Sequence, residues 1–262
     1  KQAIDSLYAI PDRDYILLRN VTLSTLELLP EHFRQYIAVK LTGTSDYTGS
    51  LSLPLGRVGL GSQTVEAPSN VISITSWEDL ASMKTGEESQ GIIYTLTNDL
   101  DQTSPGYSDF ASSTANSNSG WLPVGSFSDP FMGSFDGDGF TIADLVIGNT
   151  TADNVGLFGA VGADGTYKNA TFENLQISAR DQVGVLIGQV SRKSELTFSN
   201  ITISGGLINA DNSVGGLVGS LNNSDSIVTI EDISASFNIS GSNNIGGLVG
   251  FSQASKVNIT NV

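Results

Sequence analysis

The sequence contains no cysteine, a single histidine and few basic residues. Without cysteine, the chain forms neither disulfides nor thiolate metal sites. It has 12 Lys and Arg against 27 Asp and Glu, which gives a formal net charge of −15. Such a charge repels nucleic acids and anionic membrane surfaces, so neither is an expected partner. No apolar run reaches the roughly 20 residues that a membrane helix needs, so membrane insertion is not expected either.

The negative charge is concentrated after residue 70. Residues 1–70 carry six Lys and Arg against seven Asp and Glu, whereas residues 71–262 carry six against twenty. The chain begins with Lys1 and shows no signal peptide, so we expect a processed product or a segment of a longer protein. The composition, acidic and rich in Asn, Ser, Thr and Gly, is typical of bacterial surface proteins.

Common catalytic motifs are missing from the sequence. His32 lies in the stretch Pro30-Glu-His-Phe-Arg34, and we interpret it as a surface or helix-end residue. Neither a Gly-x-Ser-x-Gly elbow nor a His-Glu-x-x-His zinc motif occurs. β-Helix enzymes that act on acidic polysaccharides join Asp clusters with Arg or Lys, and residues 71–262 hold few basic residues for this purpose. The sequence therefore predicts a non-enzymatic protein with no catalytic residue.

A glycine-rich motif returns at a fixed interval in the second half of the chain. Copies begin at Val183, Val214 and Ile245, which are separated by two equal steps of about 30 residues. A shorter copy begins at Val155, slightly less than one such step before Val183. Repeats at such periods are typical of stacked architectures in which each unit contacts only its neighbours.

A second motif, apolar–x–Asn/Asp–apolar–x–apolar, alternates with the first. Its Asn or Asp residues are Asp144, Asn174, Asn200, Asp232 and Asn261. Asn and Asp tolerate left-handed backbone, so we place them at turns. Two short apolar strands in each period, with no helical run between them, indicate an all-β fold built as a parallel β-solenoid.

Stacking of the coils predicts internal columns of apolar side chains. We expect one column to contain Phe172, Phe198 and Ile230, and a second to contain Leu175, Ile201 and Ile233. Paired glycines such as Gly215-Gly216 indicate a tight corner or a bulge, with either positive φ or close approach of another chain segment. The polar segments 160–168, 189–196 and 220–227 vary in length, and we predict that they are surface loops.

The chain is predicted to have three parts. Residues 1–66 form a small β-rich module or an assembly arm, residues 67–141 the N-terminal cap and first coils, and residues 142–262 the repeats of about 30 residues. A short helix over 75–83 closes the solenoid, with Thr75 or Ser76 as its N-cap and an acidic residue three positions later. The repeats reach Val262 within a motif, so we expect continuation or pairing there.

Two acidic pairs are candidate cation ligands. Asp136 and Asp138 form one pair and Asp99 and Asp101 the other, and Asp129 and Asp144 are near in sequence. Calcium needs several oxygen ligands, and these carboxylates are close in sequence. An Asp-Gly sequence is also the usual composition of a tight turn, which is the interpretation that we favour. We therefore predict no metal and no other cofactor, with Ca²⁺ at Asp136 and Asp138 as the alternative.

Aromatic and asparagine residues suggest two further roles. Trp121, Tyr107, Phe127 and Phe131 are predicted to fill the first coil, with a sugar-stacking platform as the alternative. Asn-x-Ser/Thr triplets are frequent, for example at Asn149, Asn169, Asn200, Asn238 and Asn258. A chain rich in these residues forms such triplets by chance, so they do not by themselves indicate glycosylation.

The repeats resemble the bacterial GLUG-motif proteins, which carry a Gly-Leu-apolar-Gly signature. The signature stands at Gly156–Gly159, Gly216–Gly219 and Gly247–Gly250, while Gly184-Val-Leu-Ile-Gly188 departs from it. The similarity extends from about residue 70 to the end and leaves residues 1–66 unmatched. It implies a right-handed parallel β-helix exposed on a bacterial surface, as in large adhesins and filamentous-haemagglutinin-like exoproteins.

The resemblance and the composition together lead to a functional expectation. We expect an extracellular structural or adhesive protein, a stiff stalk or filament subunit at a bacterial surface. It is expected to self-associate or to continue into a longer chain. Self-association would occur by β-augmentation between residues 1–66 and the open C-terminal edge. A host or cell-surface protein or glycan is a further expected partner. The alternatives are a polysaccharide-binding or depolymerising β-helix and an accessory domain of a surface metallopeptidase.

Overall fold

The computed structural model describes residues 16–19, 37–40, 50–53, 56–59 and 70–262. The chain divides into two compact units, residues 1–69 and 70–262. In the first unit, β1 (Ile16–Arg19) and β2 (Ile37–Lys40) pair in parallel, and β3 (Ser50–Leu53) and β4 (Gly56–Gly59) pair antiparallel. His32 and the predicted boundary at 66/67 lie outside the described residues. The predicted parts 67–141 and 142–262 fall within the second unit, apart from residues 67–69.

The second unit begins with short elements that lead into the solenoid. These elements are β5 (Val71–Ile74), α1 (Trp77–Ala81), a 3₁₀ turn (Gly86–Ser89), β6 (Ile93–Leu96), α2 (Tyr107–Phe110), α3 (Ala115–Asn118), β7 (Ser134–Asp136), β8 (Thr141–Ala143) and β9 (Val146–Ile147). α3 is a single irregular turn, because Asn116 and Ser117 have left-handed backbone. β5, β6 and β7 pair in parallel and form the first rows of the long sheet.

Four turns of a parallel β-solenoid follow, each with two short strands and one longer strand. The first short strands form the outer sheet, β10 (Asp153–Val155), β13 (Asp181–Val183), β16 (Asn212–Gly215) and β19 (Asn243–Gly246). The second short strands form the inner sheet, β11 (Phe158–Val161), β14 (Ile187–Val190), β17 (Val218–Leu221) and β20 (Val249–Ser252). The long sheet continues with β12 (Gly165–Ser178), β15 (Glu195–Asn209), β18 (Ile227–Ser240) and β21 (Lys256–Thr260).

The strand register confirms the repeat that the sequence predicts. Val155 pairs with Val183, Val183 with Val214, and Val214 with Ile245, so each step of the sequence repeat corresponds to one turn. Every pairing between successive turns is parallel. The fold is therefore the predicted all-β solenoid of stacked coils.

The first three strands of the inner sheet are buried on both faces. All four residues of β11, β14 and β17 are buried. On one face Phe158 stacks on Phe131 with ring centroids 4.6 Å apart, and it packs edge to face against Tyr167 of the long sheet. On the other face a Cβ added to Gly188 would lie 2.3 Å from the backbone of β10. A glycine is needed there because the backbone of β14 lies directly against the backbone of β10, without space for a side chain.

The same close approach recurs in each coil and explains the motif's glycines. An added Cβ at Gly219 would lie 2.3 Å from Val183 N, and at Gly250 it would lie 2.5 Å from Val214 N. Gly215 lacks positive φ, but its added Cβ would lie 2.0 Å from Val218 O across the corner. Of the two predicted reasons for the paired glycines, close approach is therefore the one that applies.

The predicted surface loops are too long at both ends, because they include residues of the inner sheet before each loop and of the long sheet after it. Segments 160–168, 189–196 and 220–227 open with buried residues of the inner sheet, and only residues 162–164, 191–194 and 222–226 connect the inner and long sheets. Polar composition was misleading here because Gln189 and Ser220 are buried, at 6% and 3% exposure. Their polarity resembles that of a loop, although they lie in strands.

The predicted apolar columns are partly wrong. Phe198 does align with Ile230, but its other neighbour is Tyr167 rather than Phe172. Likewise Ile201 aligns with Ile233 as predicted, whereas Leu175 aligns with Gly206. The cause is that copies of the motif lie at two different corners of the long sheet, Asn174 at the second corner and Asn200 and Asp232 at the first.

Left-handed residues mark these two corners, as predicted. The first corner contains Asn169, Asn200, Asp232 and Asn261, and the second contains Asp144, Asn174 and Gly205. All have φ between 52° and 68°. Asn and Asp suit these positions because their side chains tolerate left-handed backbone.

Amide side chains at the first corner form a ladder along the solenoid. Asn169 Nδ2 donates to Asp136 Oδ1 at 3.0 Å, and Asn200 Nδ2 donates to Asn169 Oδ1 at 3.0 Å. The carboxylate of Asp136 only accepts, so every amide must donate in the same direction. Asn261 donates to Asp232 in the same way. Between Asn200 and Asp232 the ladder is broken, because the carboxylate cannot donate to the Asn200 amide oxygen.

The short helix α1 closes the N-terminal side of the core. Ser76 is its N-cap, and the Ser76 hydroxyl accepts from Asp79 N at 3.1 Å. Trp77 and Leu80 are fully buried, and the Trp77 indole lies edge to face against Trp121 at 6.0 Å. Across the described ranges, no helix is long and apolar enough to span a membrane.

Replacement of Gly188 tests the close backbone contact. We expect Gly188→Ala to lower the free energy of unfolding by about 1–3 kcal/mol, because the methyl group has no space against β10. Gly247→Ala is the matched control, since its added Cβ meets nothing within 4 Å. Chemical denaturation of both variants measures the difference. Equal losses in the two variants would contradict the role of the inner sheet.

Replacement of Asp232 tests the amide ladder. We expect Asp232→Asn to raise the free energy of unfolding by about 1 kcal/mol, because the new amide donates to Asn200 and still accepts from Asn261. Thermal and chemical denaturation measure the gain. Asn200→Asp is the reverse control and is expected to destabilise. A neutral or destabilising Asp232→Asn would show that the ladder contributes little.

Candidate functional site

The predicted cation pair, Asp136 and Asp138, forms a tight turn between β7 and β8. Asp136 Oδ1 accepts from Asp138 N at 2.9 Å, and Asp138 has a left-handed φ of 48°. Asp138 itself is exposed. The two carboxylates therefore have different tasks, since Asp136 closes the turn while Asp138 faces solvent.

Asp136 is held by neighbours from the next coil. Its Oδ2 lies 3.2 Å from Lys168 Nζ, and its Oδ1 accepts from the Asn169 amide. Burial raises the pKa of Asp136, but the hydrogen bonds from Asp138 N, Asn169 and Lys168 outweigh it and leave the pKa below its usual value. Both carboxylate oxygens are thus engaged by protein donors.

Asp99 and Asp101 also accept hydrogen bonds from protein donors, Asp99 from a distant strand and Asp101 within its own turn. Asp99 Oδ1 accepts from Thr141 N at 2.8 Å, and Asp101 Oδ1 accepts from the Thr103 backbone and hydroxyl at 2.8 Å. The Thr103 hydroxyl is the main reason that the pKa of Asp101 is lowered. Within residues 70–262, no group of three or more His, Asp or Glu residues is arranged to hold a metal ion.

A cluster that was not predicted from the sequence lies where the second coil enters the outer sheet at β13. Arg180 Nε donates to Asp153 Oδ1 at 2.7 Å, and its Nη2 donates to Asp153 Oδ2. The same guanidinium lies 3.9 Å from Asp181 Oδ2. Asp211 follows in the next coil, where its backbone N–H donates to Arg180 O. We call these four residues the acid–arginine cluster.

The repeat period contains the signal for this cluster. Asp153 and Asp181 are one period apart and pair directly, and Arg180 precedes Asp211 by one period as well. When the coils are aligned by the repeat period, all four charged residues fall at the same corner. The repeat spacing thus relates charged positions in the same way as it relates apolar ones.

The chemistry of the cluster is that of a fixed, exposed ion pair. Hydrogen bonding to Asp153 raises the pKa of Arg180, and the charges of Asp153, Asp181 and Asp211 act in the same direction. Arg180 is 51% exposed and Asp181 28% exposed, so both can contact a polar or charged partner. Three carboxylates around one guanidinium leave this corner negative.

The aromatic residues separate into core and surface. Trp121 and Phe131 are buried, and the Tyr107 hydroxyl donates to Asp144 O at 2.8 Å. Burial raises the pKa of Tyr107, with the Asp144 charge as a second cause. The core interpretation is confirmed for Trp121 and Phe131, whereas Tyr107 is partly buried and packs against the core. This interpretation is wrong for Phe127, which is 63% exposed in the loop before Phe131.

The outward side of the long sheet carries columns of hydroxyl groups. Thr166, Thr197 and Thr229 are aligned in successive coils, and Thr171, Thr202 and Ser234 form a second column. Aligned residues of neighbouring strands are about 4.8 Å apart. The sheet therefore presents a regular array of short polar side chains.

Comparison with known proteins found a similar sequence at a significant level. The chain is 34% identical over 155 residues to Halomucin of Haloquadratum walsbyi (strain DSM 16790 / HBSQ001). That alignment covers 58% of the chain but only 2% of Halomucin. No family model matches the chain, and no solved structure matches it. The β-solenoid fold and this similarity are compatible with a structural surface protein.

Acidification tests the role of Asp136. Its pKa lies below the ordinary value of 3.8, so the folded state favours the carboxylate. The resulting stability is complete above pH 3.8 and is lost as the pH falls through the folded pKa. We therefore expect Asp136→Asn to be less stable near neutral pH and to lose less stability on acidification. Parallel curves of melting temperature against pH for the two proteins would contradict this assignment.

Proposed function

We propose that this chain is a non-enzymatic, structural and adhesive segment of a cell-surface protein. The observation that carries the proposal is the continuous parallel pairing of three sheets through four turns, from Asp153 to Thr260, with one register shift in the long sheet between Ser204 and Leu207. Each turn is hydrogen-bonded to the next along three sides, so bending would break many bonds at once. A rod of this kind holds its loops at fixed spacing and needs no catalytic residue or cofactor.

The surface chemistry supports a role outside the cell. Hydroxyl columns cover the long sheet, and the acid–arginine cluster adds negative charge at one corner. Residues 71–262 carry a net charge of −14, from six Lys and Arg against twenty Asp and Glu. Such a charge keeps neighbouring rods apart. The resemblance to GLUG-motif proteins and the similarity to a protein named Halomucin also support a surface location.

Exposed apolar residues support self-association or continuation of the stack. Ile245 and Ile259 are 47% and 48% exposed, whereas their counterparts Val214 and Ile230 in the preceding coil are fully buried. A further coil, from this chain or from another, would cover them. Residues 1–66 are the proposed source of complementing strands, by β-augmentation.

A second candidate function is polysaccharide binding. The acid–arginine cluster favours it, because the exposed Arg180 and the half-buried Asp181 are held in fixed geometry beside a hydroxyl-bearing sheet. A glycan-binding screen of the wild-type chain and of Arg180→Gln tests this candidate. Lys193→Gln is the matched control, because Lys193 makes no ion pair within residues 70–262.

Protease treatment of intact cells from the native source tests the surface location. We expect peptides from residues 70–262 to be released into the medium while a cytoplasmic marker protein stays intact. Electron microscopy of the released or purified material is expected to show rods. Retention of the chain inside intact cells, or compact particles in place of rods, would refute the proposal.

Deletion of residues 1–66 tests the assembly step separately. If these residues supply complementing strands, the shortened chain is expected to form single rods rather than end-to-end polymers. Circular dichroism should show that the β-solenoid is retained. Unchanged polymers after the deletion would assign assembly to another part of the protein.

A further inference from the structure

Asn-x-Ser/Thr triplets occur throughout the second unit, and the structure places them in different environments. In residues 70–262 they begin at Asn149, Asn169, Asn200, Asn222, Asn238 and Asn258. Transfer of a sugar to asparagine requires a free amide nitrogen and a backbone segment that a transferase can bind. These two requirements separate the triplets.

Four of the triplets are unsuitable acceptors. Asn169 and Asn200 use Nδ2 in the corner ladder, where each donates a hydrogen bond to the preceding coil. Asn238 and Asn258 lie within β18 and β21 of the long sheet. The backbone of Asn238 is aligned with Leu207 of the preceding strand, and its neighbour Ile239 lies in the same ladder. A transferase would have to separate paired strands to bind these segments.

The triplet Asn149-Thr150-Thr151 lies in a β-turn between β9 and β10, in which Asn149 is half-buried. Ala152 N donates to Asn149 O at 3.0 Å and closes the turn. The Thr151 hydroxyl donates to Asn149 Oδ1 at 2.8 Å, and Thr151 N donates to the same oxygen at 3.2 Å. Both threonines are exposed. The amide oxygen is thus fixed by Thr151, while Asn149 Nδ2 makes no hydrogen bond within residues 70–262.

We infer that Asn149 is an N-glycosylation site. The inference depends on the proposed surface location, because export brings the chain to a glycosylating compartment. The Asn149 Nδ2 attacks the anomeric carbon of a glycosyl phosphate donor held by a separate transferase. The new C–N bond forms as the C–O bond to phosphate breaks, the phosphate leaves with the electron pair, and Nδ2 releases one proton. Asn149 meets both requirements at an ordered turn.

Asn222 provides an internal comparison. Asn222-Asn223-Ser224 is also a loop triplet, between β17 and β18. Here the Ser224 hydroxyl makes no hydrogen bond to Asn222 within the described second unit, so the amide and the hydroxyl are not held together. We expect modification at Asn149 and not at Asn222.

Cleavage before aspartate separates the triplets for mass spectrometry. The expected peptides are 144–152 for Asn149, 164–180 for Asn169, 181–210 for Asn200 and 211–224 for Asn222. In protein recovered from its native source, we expect a glycan mass on peptide 144–152 and unmodified forms of the other three. Bare peptide 144–152, or a glycan on another of these peptides alone, would overturn the inference.

Variants produced in the native host identify the acceptor chemistry. Asn149→Asp keeps the oxygen that accepts from Thr151 and removes the nucleophilic nitrogen, so we expect complete loss of the glycan with an unchanged fold. Thr151→Ala is expected to lose it too, whereas Thr151→Ser and Thr150→Ala are expected to retain it. A glycan that persists in Thr151→Ala would contradict the role of the hydroxyl.

The release of the protein by protease and the glycan on peptide 144–152 are measured in the same cells. The two results together distinguish a failure of the surface location from a failure of the glycosylation site. Protein that is released by protease from intact cells with peptide 144–152 bare overturns the glycosylation site and leaves the surface role intact. Protein retained inside the cell with the peptide bare overturns both. Released protein with a glycan at Asn149 supports both.

Discussion

Parallel backbone hydrogen bonding between successive coils determines most other features of this molecule. Because Val183, Val214 and Ile245 pair directly, each side chain lies beside its equivalent in the next coil, about 4.8 Å away. Several positions therefore carry the same residue type in successive coils. This constraint produces a column of glycines against the outer sheet, a column of amides at the first corner and columns of hydroxyls on the long sheet.

The inner sheet explains how a narrow coil can still have a substantial core. Its strands lie between the outer sheet and the long sheet, so their residues contact protein on both faces. Glycine allows close approach on one face, and large side chains such as Phe158 fill the space on the other. Charged groups consequently lie at the corners and loops, where Arg180 and Asp153 form their ion pair in contact with solvent.

The sequence was sufficient to predict the architecture but not the detailed alignment. The constant repeat period and the left-handed Asn residues follow directly from local chemistry and recur in the structure. The apolar columns were harder to predict, because the same motif occurs at both corners of the long sheet. Phe172 precedes the second corner, whereas Phe198 precedes the first. The burial of Gln189 could not be predicted from the sequence either, because a polar residue is expected in a loop and Gln189 lies in a strand that is buried on both faces.

The candidate site was harder to predict from the sequence than the fold. Asp136 could be identified as a turn residue from its Asp-Gly sequence, but its contact with Lys168 depends on which residues are one coil apart. The acid–arginine cluster depends on the same knowledge, as does the distinction between Asn149 and Asn200. Sequence chemistry identifies such residues as candidates, and the register decides which of them are neighbours.

The equal register of consecutive coils also bears on how such a protein changes over generations. Each coil of the repeat begins and ends at the same point of the cross-section, so its duplication or deletion leaves the flanking pairs intact. Unequal recombination between the corresponding gene segments would therefore alter rod length in steps of one strand spacing, about 4.8 Å. Natural length variants of a single surface protein are the expected result.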